Sequence, residues 1–592
     1  MALGVAPPKY FLSALPTGMG KTTTLIEATK ELIRIGRRTG NPAGIIILTN
    51  TLDQIPVLVN EMGLADHQFA VRVGKNREEL NGLGVGEDAY PGERRHERAQ
   101  VLFTTQQKLL SLRSKGLAFK HMRGFYFQGH PRSVRVWDEA IFPACQIVLS
   151  SDDIDRLKSP LAKAGYKQQR DALEAFVAKM KGSSVGDEIA IPDFNLPNPN
   201  DDAAPYDDKD MWIVDQLTRM SEATAHLRHD ASAGAVALHY EEILPNDFPP
   251  LLVLDASGSL RLSYNMWNQG RHNLTMLPSP GKTYSNLTIR HWRHAAGKTA
   301  YVRNETRSRL AAGVAEAVAE ADPAAPILIV VRKPAKPYQN MEQAIRKAVE
   351  KRFDNENRKP PALEFLTWGR HLAVNDYSHV KHVIVAGLLR YTSSQAEAMA
   401  RASGGLSPTQ HLTELEIDAF HRSEIAHHLF QAAGRGAIRK AVDGDVPIGC
   451  RLDVIFATKG NGASVSVDED ILQKAFPGAQ IVDWRPLPVE LSINEAALVR
   501  ILRNIAEKRP QGKGVKIKEL AVAVGIAPVN VWQALERPHV KAALTREGIL
   551  LDRRQGRPMS VRRAESARLD HEQPSVRHSK NVNGRRQIRR AA

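Results

Sequence analysis

The sequence has little cysteine: Cys145 and Cys450 are the only two in 592 residues, and they lie far apart. Neither a disulfide framework nor a cysteine-based metal site is available, and a reducing compartment is expected. No apolar run approaches the roughly 18 residues needed to span a bilayer. No basic segment followed by a long hydrophobic stretch opens the chain, so a cytoplasmic protein without a membrane partner is expected. Internal sequence repeats are absent too. Acidic residues are in deficit, 65 against 81 Lys and Arg, which gives a net charge of +16 and a pI near 9.7. That balance implies a polyanionic partner.

What is present describes a globular chain able to bury real cores, with 42% hydrophobic and 25% charged residues. The length suits either roughly four domains or two large lobes with insertions. Short apolar strands alternate with helical stretches from the start, in "YFLSAL", "AGIIILTN", "FAVRVG", "QVLFTT" and "SVRVWDEA". This βαβ rhythm predicts a parallel sheet with helices on both faces. Between about 150 and 241 the rhythm stops, giving helical material ("RDALEAFVAKMKG") and then a segment too rich in Pro, Asn and Asp for a regular element. Strand character resumes at "PPLLVLDASGSL". A second alternating region contains "APILIVVRK", "ALEFLTWGR", "HVKHVIVAGLL" and "CRLDVIFA". The expected fold class is therefore α/β. The expected division is 1–285 for a first lobe with its insertion, 286–490 for a second lobe, 491–563 for a helical module and 564–592 for a basic, disordered tail.

Chemistry enters at "SALPTGMGKTTT". Gly18 and Gly20 let the backbone curl so that several N–H groups face inward at the start of a helix, an anion nest. Pro16, Thr17, Gly18, Met19, Gly20, Lys21 and Thr22 are the expected nucleotide-binding residues, with Lys21 reaching the β- and γ-phosphates and Thr22 offering a hydroxyl to Mg²⁺. Leu15 stands where the strict GxxxxGK[ST] pattern has its first glycine. In "VRVWDEAIF" a strand delivers Asp138, expected to hold Mg²⁺, and then Glu139, expected to orient and deprotonate the attacking water. In "HHLFQAAGRGAIRK", Gln431, Arg435 and Arg439 are spaced four apart, so on one helix they would share a face that meets the γ-phosphate from the other lobe.

The order "PTGMGKT", "WDEA", "QAAGRGAIR" resembles the superfamily 2 helicases and translocases, the group that includes the DEAD/DEAH-box proteins. The resemblance covers about residues 10 to 460. It implies two RecA-like lobes, with ATP and Mg²⁺ in the cleft between them. "ILTNTLDQ" and "VLFTTQQKLL" resemble the segments that touch nucleic-acid phosphates, which carries Thr49, Thr104 and Thr105 over as candidates. "LVLDASGS" occupies the place of the Ser-Ala-Thr motif with different letters. "GRHLAVNDYSHVKHVIVAG" is similar to the motif that precedes a strand and touches both nucleotide and nucleic acid. In the last motif Ile438 fills the usual place of the second arginine, so the choice of finger between Arg435 and Arg439 stays open. Only 13 residues precede Ala14, leaving little room for an upstream adenine-reading segment, and weak base selectivity is expected.

"IKELAVAVGIAPVNVWQALE" fits the helix-turn-helix template, with Ala521 and Gly525 at the tight positions, Leu520, Val524, Ile526 and Val531 buried, and Asn530 and Gln533 facing a groove. "GILLDRRQGRPMSVRRA" reads as a hairpin turning at Gln555–Gly556, which together suggests a winged helix; a helical pair for protein contact is the alternative. From Arg553 the chain is rich in Arg and ends "NGRRQIRRAA", suited to polyanions without sequence readout. The resulting expectation is an ATP-dependent DNA helicase or translocase acting on single- or double-stranded DNA. A duplex-remodelling motor without strand separation and an ATP-switched DNA-binding regulatory protein stay open beside it, and the helix-turn-helix pattern disfavours an RNA helicase.

Overall fold

Strand Ile45–Thr49 buries all five of its residues and so has no polar face. Such strands belong in a parallel sheet covered on both sides. Seven strands pair in parallel in the order Leu274–Met276, Tyr10–Ser13, Leu251–Leu254, Val134–Asp138, Ile45–Thr49, Val101–Thr105, Phe69–Val71. The computed structural model describes residues 1–563 except 3, 87–94, 200, 202–203, 231–233, 335, 337–339, 370–375, 458–464, 488–490, 492, 509–512 and 553–558. A second parallel sheet follows the order Leu363–Thr367, Ile327–Val331, His382–Ala386, Cys450–Ile455, Leu287–Trp292, Gln480–Asp483. The chain is thus α/β with two RecA-like parallel-sheet lobes, both within one compact unit, Met1–Pro486. Among the described residues no helix is long and apolar enough to cross a membrane.

The insertion is more ordered than its sequence suggests. Strands Ala144–Ser150, Gly234–Glu242, Thr224–Asp230 and Glu188–Ala190 form an antiparallel sheet in that order. Helices Lys167–Gly182 and Asp208–Met220 pack on it through Leu173, Phe176, Met180, Ile213 and Leu217. Strand Thr224–Asp230 escapes a hydrophobicity reading because it buries polar residues, His226 and Arg228, against the second lobe. The described part of 191–207 forms no helix or strand, as its composition predicts.

The second unit begins at Leu487. Helices Ile493–Lys508, Ile517–Val524, Pro528–Glu536 and Pro538–Arg546 accompany an antiparallel sheet in the order Lys513–Val515, Met559–Arg563, Ile549–Asp552. Gly525 ends the second of these helices at φ 76°, a left-handed turn that suits glycine. Leu520 and Val531 are buried, and Val524 and Ile526 pack partly against the same core. Asn530 and Gln533 are exposed. The turn at Gln555–Gly556, the tail 564–592 and the segment 370–375 of the "GRHLAVNDY" motif lie outside the described residues.

Candidate active site

The loop after strand Tyr10–Ser13 leads into helix Lys21–Thr39, with Gly18 at φ 80° and Gly20 at φ 87° making the curl. The Met19 N–H donates to Pro16 O at 3.2 Å, which tightens the turn. Lys21 Nζ donates to Leu15 O at 2.9 Å. Burial lowers its pKa, while the carboxylates of Glu139, Asp255 and Asp138 act the other way.

Strand Val134–Asp138 sits in the middle of the first sheet, so its end opens beside this loop. Glu139 follows at φ 79°, a left-handed conformation that costs a non-glycine residue about 1–3 kcal/mol. Its N–H is held by Leu254 O at 3.0 Å, which fixes the turn. Burial and the neighbouring Asp138 push the Glu139 carboxyl up to about 7, against the pull of Arg435. Asp138 is raised to about 6 by burial and by Asp255, against Lys21. Within the first lobe, three carboxyl groups surround one lysine. Together with the Thr22 hydroxyl on the same cavity, that donor set suits a hard divalent cation held by one or two carboxylates and substrate phosphates.

The second lobe completes the cavity. Helix Glu414–Ala433 ends at Gly434, so the expectation that Gln431, Arg435 and Arg439 share one helical face does not hold. Gln431 lies in the helix's last turn, Arg435 in the turn after it, and Arg439 closes a 3₁₀ turn, Ala437–Arg439. Gly434 and Gly436 interrupt the helix, and a Cβ on Gly436 would strike Val383 and the Val380 carbonyl. The break still brings all three to one place: a cavity of about 290 Å³ is lined by Thr17, Gly18, Gly20, Lys21, Thr22, Asp138 and Glu139 from one lobe and by Gln431, Arg435 and Arg439 from the other. Arg435 is buried and donates to Gln431 Oε1 at 3.1 Å. Pro16 and Met19 shape the loop without lining the cavity.

The "DASGS" segment joins the lobes. Asp255 is fully buried and accepts from Ser257 Oγ at 2.6 Å and Tyr264 OH at 2.8 Å. Ser257 Oγ lies 2.6 Å from Nδ1 of His427 on the second lobe's long helix. Arg261 makes a buried bidentate pair with Glu424 of the same helix, at 2.9 and 2.8 Å. The residue letters gave no signal for this pairing across more than 160 positions.

Of the nucleic-acid candidates, Thr49 and Thr104 are fully buried, with hydroxyls donating to Thr51 O and Arg72 O. Their side chains brace the turns at the strand ends and present no hydroxyl at the surface. Thr105 is partly exposed and caps helix Gln106–Arg113. Basic side chains that the motif reading passed over stand just past strand ends on both lobes: Arg72 and Lys75, then Arg293, Arg332, Lys333 and Arg390. The carboxyl edge of an open parallel sheet is where ligands bind.

No protein-family model matches the chain, and no curated protein matches it. Solved structures similar to it include Xpd4 of S. tokodaii (TM-score 0.41, 11% identity, 80% of this chain and 96% of that one). S. cerevisiae Dbp5 bound to RNA and ADP BeF3 is another (0.34, 10%, 82% and 88%). A third is the Mycobacterium smegmatis helicase Lhr bound to ssDNA and AMP-PNP (0.29, 12%, 93% and 60%). Likenesses this loose transfer neither residues nor roles.

Proposed function

We propose that this protein is an ATP-dependent DNA helicase or translocase that hydrolyses a nucleoside triphosphate between its two lobes and steps along nucleic acid. The observation carrying this reading is the single cavity that gathers Lys21, Asp138 and Glu139 from one lobe with Gln431, Arg435 and Arg439 from the other. In it the loop Pro16–Thr22 wraps the phosphates, and Lys21 contacts the β- and γ-phosphates. Thr22 and Asp138 hold Mg²⁺, which would neutralise phosphate charge when bound. Glu139, kept near neutral pKa by burial, accepts the proton of the attacking water. Arg435, hydrogen-bonded to Gln431, stabilises charge developing on the transferred phosphoryl group, and Arg439 supports it. Opening and closing of the cleft would move the lobes along a strand.

The DNA path in this reading crosses the strand-end edge of both lobes, at Thr105 and the backbone turns of Thr49 and Thr104, among the basic residues there. The C-terminal unit, with its helix, strand, two helices, a further helix and a strand pair, supports a winged-helix assignment, and Asn530 and Gln533 face outward from its second helix-turn-helix helix. One observation favours the ATP-switched alternative: part of the second lobe is tied to the first lobe's insertion by a buried ionic cluster, Arg228 with Glu397 at 2.6 Å. Such a tie suits small lobe motions.

Turnover measured in parallel with no nucleic acid, single-stranded DNA, duplex DNA and RNA tests the proposal. A motor on DNA hydrolyses faster with DNA. A switch turns over slowly whatever is added, and stimulation by RNA alone would overturn the DNA assignment.

A further inference from the structure

Between the last strand of the first sheet, Leu274–Met276, and the first strand of the second lobe, Leu287–Trp292, the linker carries Lys282, which is 6% exposed. Its ammonium has three hydrogens and meets three backbone carbonyls: Ile438 at 2.8 Å, Arg439 at 3.1 Å and Thr17 at 3.3 Å. The first two belong to the turn that follows Arg435. The third belongs to the phosphate loop, immediately before Gly18.

The linker around Lys282 is stitched to the second lobe. Thr283 N–H donates to Gly444 O at 2.9 Å, Ser285 N–H to Asp445 Oδ2 at 3.1 Å, and Asn286 Nδ2 to Val446 O at 3.1 Å. Lys282 therefore travels with the arginine turn, and only its third hydrogen bond crosses to the first lobe. Burial draws its pKa down to about 8, with Asp445 acting to hold the charge and Arg439 against it, so the ammonium is kept at neutral pH although the side chain is buried. A buried ammonium short of one acceptor is costly. The crossing bond is made only when the lobes meet: when they part, that N–H exchanges Thr17 O for water, while the bonds to Ile438 and Arg439 travel with the second lobe.

We propose that Lys282 is a positioning residue for hydrolysis, a latch whose ammonium fastens the phosphate loop at Thr17 to the arginine turn at Ile438 and Arg439 and so fixes where Arg435 meets the nucleotide. This rests on the hydrolytic reading of the cavity. The residue touches neither phosphate nor water in that role, and it acts through the two loops it joins. Reacting groups misplaced by about 1 Å can cost on the order of 100-fold in rate.

The test compares wild type with Lys282→Met, Lys282→Gln and Lys282→Arg as full-length proteins. Steady-state ATP turnover is one readout. The other is the distance between spin labels at Lys30→Cys and Lys347→Cys, one on each lobe, in a Cys145→Ser background. The expected result is a fall in kcat of about tenfold or more for the Met and Gln variants with KM within about threefold, a broadened and longer label distance, and substantial recovery of both in Lys282→Arg. Unchanged kcat together with unchanged distance in Lys282→Met overturns the latch; Lys282→Gln decides the matter in the same way if the Met variant does not fold. Wild type that hydrolyses no triphosphate overturns the proposed function instead, and the label distance by itself then decides for or against the latch.

Discussion

No side chain fits between Gly18 and Arg439: a Cβ on Gly18 would run into the Arg439 carbonyl oxygen and crowd the N–H of Ala441. Gly18 also stands at φ 80°, where an L-residue pays about 1–2 kcal/mol. The two loops therefore close on each other only because one is glycine at that point. Gly18→Ala is expected to keep the fold, with circular dichroism unchanged, and to lower kcat by at least about tenfold by holding the lobes apart, an amount in keeping with misplacement across an active site. Wild-type kcat in this variant would show that turnover does not need the close approach.

If the cavity hydrolyses a triphosphate as proposed, the loop Pro16–Thr22 serves binding and the strand-end acids serve chemistry. Lys21→Ala should nearly abolish hydrolysis. Glu139→Gln should bind nucleotide like wild type, by equilibrium fluorescence of a labelled analogue, and stop turning over. The same substitution has a stability signature. Glu139 titrates near 7 in the fold and near 4.3 when unfolded, so the folded state binds the extra proton and stability falls as pH rises through that window. In EDTA at pH 8, Glu139→Gln should therefore raise the melting temperature by about 2 °C, and the gain should vanish near pH 4. A variant that melts lower than wild type at pH 8 would contradict the burial argument.

Arg435 and Arg439 are distinguished by their surroundings. Arg435 is buried and bonded to Gln431, whereas Arg439 is less buried and lends its carbonyl to Lys282. Arg435→Ala should cost about 10³-fold in kcat with little change in KM, the pattern of an interaction made only in the transition state. Arg439→Ala should cost less. Equal losses of affinity and rate at Arg435 would mark it as a ground-state binder.

Much of this was legible in the letters, for a physical reason. Strands buried on both faces are continuous apolar runs, and Ile45–Thr49 and His382–Ala386 announce themselves. The glycines before Lys21 and Thr22 announce a curled loop leading into a helix, and Gly18 and Gly20 at positive φ make that curl. What stayed hidden depends on distant partners. The shared helical face of Gln431, Arg435 and Arg439 was wrong because Gly434 and Gly436, unremarkable in sequence, stop the helix against Val380 and Val383. Strand Thr224–Asp230 hid because His226 and Arg228 are paired with residues of the other lobe. Lys282 sits in a linker whose letters say nothing about the two loops it joins.

The insertion's docking makes its own prediction. Glu397, on helix Ser393–Gly404, receives Arg228 at 2.6 Å, Arg401 at 3.0 Å and His226 at 3.3 Å, and its side chain is 3% exposed. Against burial, which raises it, hydrogen bonds from His226 and Arg228 and the charge of Arg401 pull its pKa down to about 2. A depressed folded pKa contributes stability that is present above the unfolded value near 4.3 and lost as pH falls towards 2. Removing one partner of a buried pair typically costs about 3–5 kcal/mol. Glu397→Ala should thus lower the melting temperature at pH 7, and the gap to wild type should narrow below pH 4. A gap that stays constant down to pH 3 would mean the cluster's charge contributes little.

Removing the C-terminal unit tests whether DNA anchoring is separable from the proposed hydrolytic cleft. It has its own buried core around Leu502, Leu520, Val531 and Leu544, so the chain can be cut after Pro486 without opening the first unit's sheets. Basal turnover should survive the cut, because Lys21, Asp138, Glu139, Gln431 and Arg435 all precede it. Duplex affinity should fall, and the dependence of log affinity on log salt should flatten by about 0.9 for each phosphate that the shortened chain no longer neutralises, the Arg-rich segment from Arg553 onward supplying many of those charges. The helix Pro528–Glu536 carries no Lys or Arg and exposes Val529 and Trp532 beside Asn530 and Gln533. Its side chains would therefore release no counterions, and any contacts it makes to base edges, to phosphates through Asn530 and Gln533, or to another protein would leave the salt slope nearly unchanged. Asn530→Ala with Gln533→Ala should reduce discrimination between DNA sequences while leaving the salt slope nearly unchanged. Truncation that alters neither duplex affinity nor its salt slope would assign this helix to protein binding and leave the DNA path wholly to the strand-end edges of the two lobes.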